Sequence, residues 1–326
     1  MALFYSILET WNGRNRMDVD VIIPVYRPTE KFLCLLDLLE RQTQPVHRII
    51  IVNTEKEYFD QLVKETDLRE KYKNLEVRHI SKAEFDHGKT RNYGVSLSET
   101  PYFIMMTDDA IPADKRLVER LLAPFQKNEK VGMSYARQVP GEGCGLLESY
   151  TRSFNYPQTS CMKSAENMRD MGLKAFFASN VCAAYRRDIF DELKGFTDHT
   201  IFNEDMIYAR GLLDAGYLIA YEARAAVIHS HNYSALGQFK RNFDLGVSHA
   251  LHPQVFEGLP AESEGIRLVK KSSIYVLRKG KPWLIAKLFW QSGFKYLGYF
   301  LGRRYRLWPK SVVKAFSMNK EFWYKN

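Results

Sequence analysis

YFIMMTDDAIPAD, Tyr102–Asp114, decides how this 326-residue chain is read. An apolar run, Tyr102–Thr107, leads directly into two adjacent carboxylates, Asp108 and Asp109, and then into Ala-Ile-Pro. A strand apolar on both faces belongs inside a sheet that is covered on both sides. Two carboxylates where such a strand leaves the sheet suit a hard divalent cation, which takes oxygen ligands and can bridge phosphate oxygens. The plain alternative is an Asp pair that caps the next helix or closes an Asx-turn. The neighbouring segments decide between the two.

Upstream, VDVIIPVY (Val19–Tyr26), RIIIVN (Arg48–Asn53) and LEVRHI (Leu75–Ile80) read as strands, and VGMSYARQ (Val131–Gln138) follows as a fifth. Thr29–Arg41 places Phe32, Leu35, Leu36 and Leu39 at helical spacing behind Thr29 as an N-cap. A second helix runs to about Lys71, and Lys89–Leu97 and Arg116–Phe125 are helical as well. The alternation predicts an α/β fold: a mostly parallel, Rossmann-like sheet flanked by helices. Ligands of such sheets bind outside the carboxyl ends of the strands. Pro24–Arg27, Asn53–Glu55 and Thr107–Asp109 all sit at strand ends and are expected to converge on one rim. Beyond residue 140 the pattern loosens: GEGCG reads as a loop, Glu204–Ala215 as a helix, YLIAYE and AAVIHS as two short strands, and the chain from Ser234 as mostly helix.

Three further constellations carry chemistry. In FDHGKTRN, His87, Lys89 and Arg91 surround a glycine at a helix N-terminus, a ready site for a diphosphate. As an ordinary turn, that positive charge would oppose the helix dipole. Glu204–Asp205 opens a helix, where the dipole alone favours acids, but a carboxylate near a metal-bound diphosphate can also serve as general base. His229 and His231, in VIHSHNYS, fall on one face of a strand end. Lone histidines are mostly satisfied polar groups; the sharper reading is a neutral imidazole completing a Mn2+ or Mg2+ sphere beside Asp109.

Apolar residues make up 45% and charged residues 26%, which excludes a mainly disordered chain. Cys34, Cys144, Cys161 and Cys182 lack metal-site spacing and read as free thiols of a reducing compartment. The first residues show no basic stretch followed by an apolar one, so no signal peptide is expected. Lys287, Gln291 and Lys295 interrupt the stretch Trp283–Leu301, which argues against a spanning helix. Net charge is +9, and its placement is uneven: residues 270–326 hold 14 Lys/Arg against one acid, interleaved with 14 aromatics. Lys287, Gln291, Lys295 and Arg303 form one polar stripe on an otherwise apolar helix, suited to an anionic membrane surface. Packing on the catalytic region or on a partner chain is the alternative, and a homo-oligomer stays open. No nucleic-acid motif accompanies the basic residues, and no nucleic-acid partner is expected.

Together VIIPVY, IIIVNTE, FDHGKTRNYG, TDDAIPAD, FNEDMIYARGLLDAGY and VIHSHNYS resemble the family 2 glycosyltransferases of GT-A fold, especially the bacterial rhamnosyltransferase-like branch, across roughly residues 19–250. The resemblance implies a catalytic domain over 1–250, with a nucleotide-sugar half at about 19–138 and an acceptor half at about 139–250. A helical basic region over 251–326 would follow. It implies a nucleotide-sugar donor, a divalent metal (Mn2+ or Mg2+), and inversion by single displacement. Pro24, Tyr26 and the turn Asn53–Thr54–Glu55 would hold nucleobase and ribose, and His87, Lys89 and Arg91 the diphosphate. Asp109 matches the last Asp of the DxD metal motif and Asp108 its middle position. Asp205 matches the presumed base and Glu204 would orient the acceptor. His229 stands where relatives keep a metal-ligating His, with His231 as the fallback.

Two departures matter. Thr107 occupies the first DxD position, and Asn53–Thr54–Glu55 replaces the usual Asp-rich turn, so the common uridine contacts do not carry over. A thymidine donor is compatible, and the branch suggests dTDP-β-L-rhamnose and an α-L-rhamnoside product. The acceptor would be a glycan or a lipid-linked glycan, met in the cytoplasm at the inner face of the cell membrane. Competing readings are the same fold with another nucleotide sugar such as a UDP-hexose, or a non-catalytic sugar-nucleotide or glycan-binding protein. Thr107 keeps the last one open; Asp109 together with Asp205 argues against it.

Overall fold

The computed structural model describes residues 17–64, 68–258 and 261–324. One sheet organises them, built from β1 (Val19–Tyr26), β2 (Ile49–Thr54), β3 (Leu75–Ile80), β4 (Tyr102–Met106), β5 (Ile111–Pro112), β6 (Val131–Val139), β7 (Cys161–Lys163), β8 (Cys182–Arg186) and β9 (Leu218–Ile228). Their spatial order is β3-β2-β1-β4-β8-β6-β9-β5, with β7 paired to β9 off this path. From β3 to β4 every pairing is parallel, as the continuous apolar runs predict. Helices α1 (Glu30–Glu40), α2 (Lys56–Val63), α3 (His87–Ser96) and α4 (Leu117–Lys127) connect these strands.

Strand alternation splits the apolar residues between two layers. Val21, Ile23 and Ile104 join Phe32, Leu36 and Leu121 on one face; Ile22, Phe103 and Met105 join Val95 and Leu212 on the other. Each fully buried side chain of this kind contributes roughly 1.5–3 kcal/mol, so the two layers dominate the stability of the sheet.

Two features differ from the sequence reading. β8 was not anticipated, and it runs antiparallel between β4 and β6, so the sheet is mixed beyond β4. Its sequence, CAAYR, is short and alanine-rich; what seats it is Tyr185, stacked on Phe103 at 5.2 Å. The two short strands expected around Glu222 are one strand, β9, whose register against β6 slips between Ala136 and Arg137. Arg224, exposed and paired with Glu222, sits in that slip and imitates a turn in the sequence.

Of the longer helices that remain, α5 (Leu146–Asn155) and α6 (Glu204–Asp214) fall between β6 and β9, and α7 (Ala235–Leu251), α8 (Ala261–Arg278), α9 (Leu284–Gly302) and α10 (Lys310–Phe316) follow β9. α7 and α9 meet backbone to backbone: a Cβ on Gly298 would collide with the Phe239 carbonyl, and one on Gly302 with that of Phe243. Buried Asp244 on α7 accepts hydrogen bonds from the Ser317 hydroxyl (2.6 Å) and from the Met318 and Asn319 N–H groups (2.9 and 3.0 Å), tying down the C-terminal segment.

Lys287, Gln291 and Lys295 of the α9 stripe line an open cavity, together with the exposed Phe289, Trp290 and Tyr296, and Arg303 donates to the His249 carbonyl at 3.1 Å. Trp283 and Trp290 stay 66% and 63% exposed. Among the described residues, no helix is long and apolar enough to cross a membrane.

Candidate active site

The carboxyl ends of β1, β4 and β6 open into a cavity of about 2210 Å3. Its wall takes Tyr26 from β1, Thr107, Asp108 and Asp109 from the end of β4, and Gln138 from β6. Glu204 and Asp205 come from the first turn of α6, and His229 and His231 from the chain leaving β9. Residues more than two hundred positions apart therefore share one rim, as the strand-end rule requires.

Asp109, His229 and His231 form the tightest group: one ligand atom from each lies within 4.8 Å of the others. His229 Nε2 is 3.5 Å and His231 Nε2 3.4 Å from the Asp109 carboxylate, and the two Nε2 atoms are 3.0 Å apart. Gln138 sets the tautomer. Its amide nitrogen donates to Tyr156 Oη (2.6 Å) and Ser179 Oγ (3.0 Å), leaving Oε1 to accept from Arg152 and from His229 Nδ1–H (3.1 Å). The lone pair of His229 Nε2 then faces Asp109 and His231. Burial lowers the pKa of both imidazoles, His229 to about 3, which keeps them neutral and able to ligate. Thr107 Oγ1 donates to Asp109 Oδ1 at 2.9 Å, so the residue in the first DxD position orients a carboxylate rather than adding one. One carboxylate with two imidazoles fits a first-row cation such as Mn2+ better than Mg2+, which prefers oxygen ligands throughout. Asp108 accepts from the Tyr26 backbone N–H, and burial together with Asp109 pushes its pKa to about 7.

The second pair is Glu204–Asp205. Asn203 precedes it at φ 68°, a left-handed conformation that asparagine tolerates, and this turn starts α6 with both acids in its first turn. Burial would raise the Glu204 carboxyl, but Arg91, His87 and an Asn180 amide bond outweigh it and hold the pKa below the usual range. Arg91 Nε lies 3.2 Å from Glu204 Oε1. Asp205 goes the other way: burial, then the charge of Glu204, raise it to about 7, although it accepts the N–H groups of Asn180 (3.0 Å) and Met206 (2.8 Å). Adjacent carboxyls pushed apart in this manner leave one ionised and the other able to exchange a proton near neutrality.

FDHGKTRN lies where the sequence puts it, at the start of α3, but its helix N-terminus is already filled. Asp86 caps it, accepting from Gly88 N–H (3.0 Å) and Lys89 N–H (2.9 Å), which removes the dipole conflict expected of the basic residues. Glycine is required at 88 because a Cβ there would strike the Thr197 carbonyl. His87 and Arg91 line the cavity. Lys89 is exposed and does not.

Pro24, Asn53, Thr54 and Glu55 also stay out of the cavity lining. Asn53 is fully buried; its amide donates to the Glu55 carbonyl and faces His79 Nδ1. Thr54 is buried as well, and Glu55, at φ 64°, accepts the Lys82 N–H. Tyr26, which does line the cavity, belongs to an aromatic group that sequence reading missed in part: Arg27 lies over Tyr58 at 4.5 Å and beside Tyr26, whose ring meets Tyr58 edge-on at 5.8 Å. Gln138, Asn180 and Arg241 were missed too. None belongs to a motif: Gln138 bonds His229, Asn180 bonds Glu204, and Arg241 lies over the Phe202 ring, contacts that only folding supplies.

With this geometry in hand, comparison with known proteins is decisive. The model of glycosyl transferase family 2 matches residues 20–194. The O-antigen chain rhamnosyltransferase RfbN of Salmonella typhimurium is 37% identical over 311 residues, 94% of this chain and 96% of that one. The chain belongs to glycosyl transferase family 2. It is a glycosyltransferase. A second relative, the O-antigen chain rhamnosyltransferase WbaN of Salmonella anatum, is 36% identical over 93% of this chain and 95% of its own. Among solved structures, the mannosyltransferase PcManGT from Pyrobaculum calidifontis, in complex with GDP-Man and Mn2+, superposes with a TM-score of 0.56 at 13% identity, covering 99% of this chain and 92% of that one. TarS 1-349 from S. aureus, in complex with UDP-GlcNAc, gives 0.52 at 14% identity, covering 89% and 92%. At those identities the likeness concerns the GT-A fold alone.

Proposed function

We propose that this glycosyltransferase is an inverting, metal-dependent rhamnosyltransferase of polysaccharide synthesis. It would move L-rhamnose from dTDP-β-L-rhamnose to a hydroxyl of a lipid-linked glycan and form an α-L-rhamnoside. The observation that carries the reading is Asp205, a carboxyl titrating near neutrality, opening into the same cavity as the Asp109–His229–His231 cluster. The rhamnosyltransferase names of the two Salmonella relatives support the sugar.

In this reading Asp109, His229 and His231 hold a divalent ion, which when bound supplies positive charge where the departing diphosphate gathers negative charge. Gln138 keeps His229 in the ligating tautomer. Tyr26, Arg27 and Tyr58 offer stacking surfaces to the base, and His87 faces the diphosphate. Glu204, anchored by Arg91, stays ionised and keeps Asp205 basic. As the acceptor oxygen attacks the anomeric carbon from the side opposite the diphosphate, the C–O bond to phosphate breaks and the hydroxyl proton passes to Asp205. A single displacement of this kind inverts the anomeric centre. The exposed Trp283 and Trp290 and the basic tail support docking on an anionic membrane surface.

The test is nucleoside diphosphate release from dTDP-L-rhamnose, UDP-glucose and GDP-mannose, each with Mn2+, Mg2+ or a chelator. Turnover of the rhamnose donor alone, lost on chelation, is expected. Turnover of another donor would discard rhamnose and keep the mechanism; chelator-resistant turnover would discard the metal.

A further inference from the structure

We propose that Asn180 is a positioning residue of the transfer reaction: locked by Tyr185, its amide and its main-chain N–H fix which of the two adjacent carboxyls, Glu204 or Asp205, is anchored as the anion and which is left to take the proton. This deepens the transferase reading above and rests on its assignment of Asp205 as base.

Two neighbouring carboxyls shut away from water repel each other when both are ionised, so where the last proton sits depends on the donors each one meets. Asn180, only 3% exposed, meets both. Its side-chain Nδ2 donates to Glu204 Oε1 at 3.1 Å, and its main-chain N–H donates to Asp205 Oδ2 at 3.0 Å. An amide turned round offers oxygen in place of nitrogen, and Glu204 would then face an acceptor. Tyr185 prevents this. Its hydroxyl donates to Asn180 Oδ1 at 2.5 Å, and burial raises the phenol pKa far above its usual range, so the proton stays on Tyr185. The ring is held in turn: it is fully buried, stacked on Phe103, and met edge-on by Phe190, Phe196 and Tyr208 at 5.5–5.7 Å.

The segment that carries Asn180 is fixed at both ends. Buried Lys163 donates to the Phe177 carbonyl at 2.9 Å, and the Val181 carbonyl accepts the Thr107 N–H at 3.2 Å. Between them Ser179 Oγ accepts from the Gln138 amide at 3.0 Å, so consecutive residues serve the His229 tautomer and the acid pair. The other charged or titratable groups facing the pair are Arg91 and His87 from α3, Tyr156 at the end of α5, and Tyr185 itself. Arg91 favours ionisation of both carboxyls, whereas the Asn180 side chain bonds Glu204 alone.

The experiment follows the carboxyl carbon of Asp205 against pH by 13C nuclear magnetic resonance. It uses the full chain labelled at aspartate, the signal being identified by its absence from Asp205→Asn. Asn180→Ala removes the amide and keeps the main-chain N–H. A hydrogen bond to an ionised carboxylate lowers its titration by about one pH unit, so without it Glu204 should move up and take the proton. Asp205, relieved of that charge, should then titrate about one pH unit below the wild type. In turnover, the rate at pH 6 as a fraction of its plateau should rise about fivefold. Tyr185→Phe keeps the buried ring and frees the amide to turn. It should move Asp205 in the same direction, although residue 185 stays out of the cavity lining. A merely structural role would lower the melting temperature and leave the midpoint in place. An unmoved Asp205 midpoint in either folded variant would overturn the proposal. The titration needs no turnover, so that failure is distinct from failure of the transferase reading, which shows as undiminished turnover in Asp205→Asn.

Discussion

Replacing Asp205 by asparagine keeps the shape of the side chain and removes the carboxylate proposed to accept the acceptor's proton. Loss of a positioned general base costs about 10²–10⁴ in rate, or roughly 3–5 kcal/mol of barrier. Binding should be spared, since the ligands proposed for the cation are Asp109, His229 and His231 rather than Asp205. The assay pairs acceptor-dependent nucleoside diphosphate release with donor binding by thermal shift. The pH profile sharpens it. A base must be ionised, and with its pKa near 7 the wild-type rate should rise through pH 7 and stand at about a tenth of its plateau at pH 6. That limb should vanish in the variant. Stability supplies an independent sign. Asp205 holds its proton more tightly folded than unfolded, so its contribution is fully present below its ordinary value of 3.8 and is lost as pH rises through about 7. The melting temperature of Asp205→Asn relative to wild type should therefore climb between pH 4 and pH 8. A kcat loss below threefold, or an equal loss of donor affinity, would refute the assigned role.

Gln138→Leu removes the acceptor that fixes the His229 tautomer and should weaken Mn2+ binding by about 10–100-fold, read by Mn2+ electron paramagnetic resonance; unchanged affinity would remove the histidine from the site. Asp244→Ala strips three hydrogen bonds from the C-terminal segment, a loss of about 3 kcal/mol. The melting temperature should fall by about 5 °C or more, with earlier proteolysis after residue 316. Gly298→Val drives a side chain into the Phe239 carbonyl and should destabilise by about 3 kcal/mol or more; a wild-type melting curve would contradict the close crossing of α7 and α9. Trp283→Ser with Trp290→Ser should abolish co-sedimentation with phosphatidylglycerol vesicles without altering donor binding, and salt should weaken the wild-type contact.

Much of the first half was legible because its signals are local. Apolar runs of strand length, punctuated by helical spacing in Phe32–Leu39, report a buried parallel sheet whatever surrounds them. The motif residues at the strand ends were legible for the same reason, since chain direction in a parallel sheet brings their carboxyl ends to one side. Asn53, Thr54 and Lys89 were assigned to the donor site by position in a motif, yet burial and orientation keep them out of the cavity lining. β8 escaped notice because Ala183 and Ala184 carry no pattern, and a strand between two others is held by its neighbours rather than by its own residues.

By itself the sequence determined the order of strands and helices, the placement of carboxylates and imidazoles at strand ends, and the concentration of positive charge after residue 269. Periodicity and chain direction suffice for these, being properties of adjacent residues. Tertiary structure alone decided that Gln138 orients His229, that burial and then the charge of Glu204 bring Asp205 to about 7, and that the stripe of α9 reaches the cavity lining. Each depends on groups tens to more than one hundred residues apart meeting where water is excluded. Electrostatic effects gain their strength only there, because a charge shows its neighbours little of itself until the solvent between them has gone.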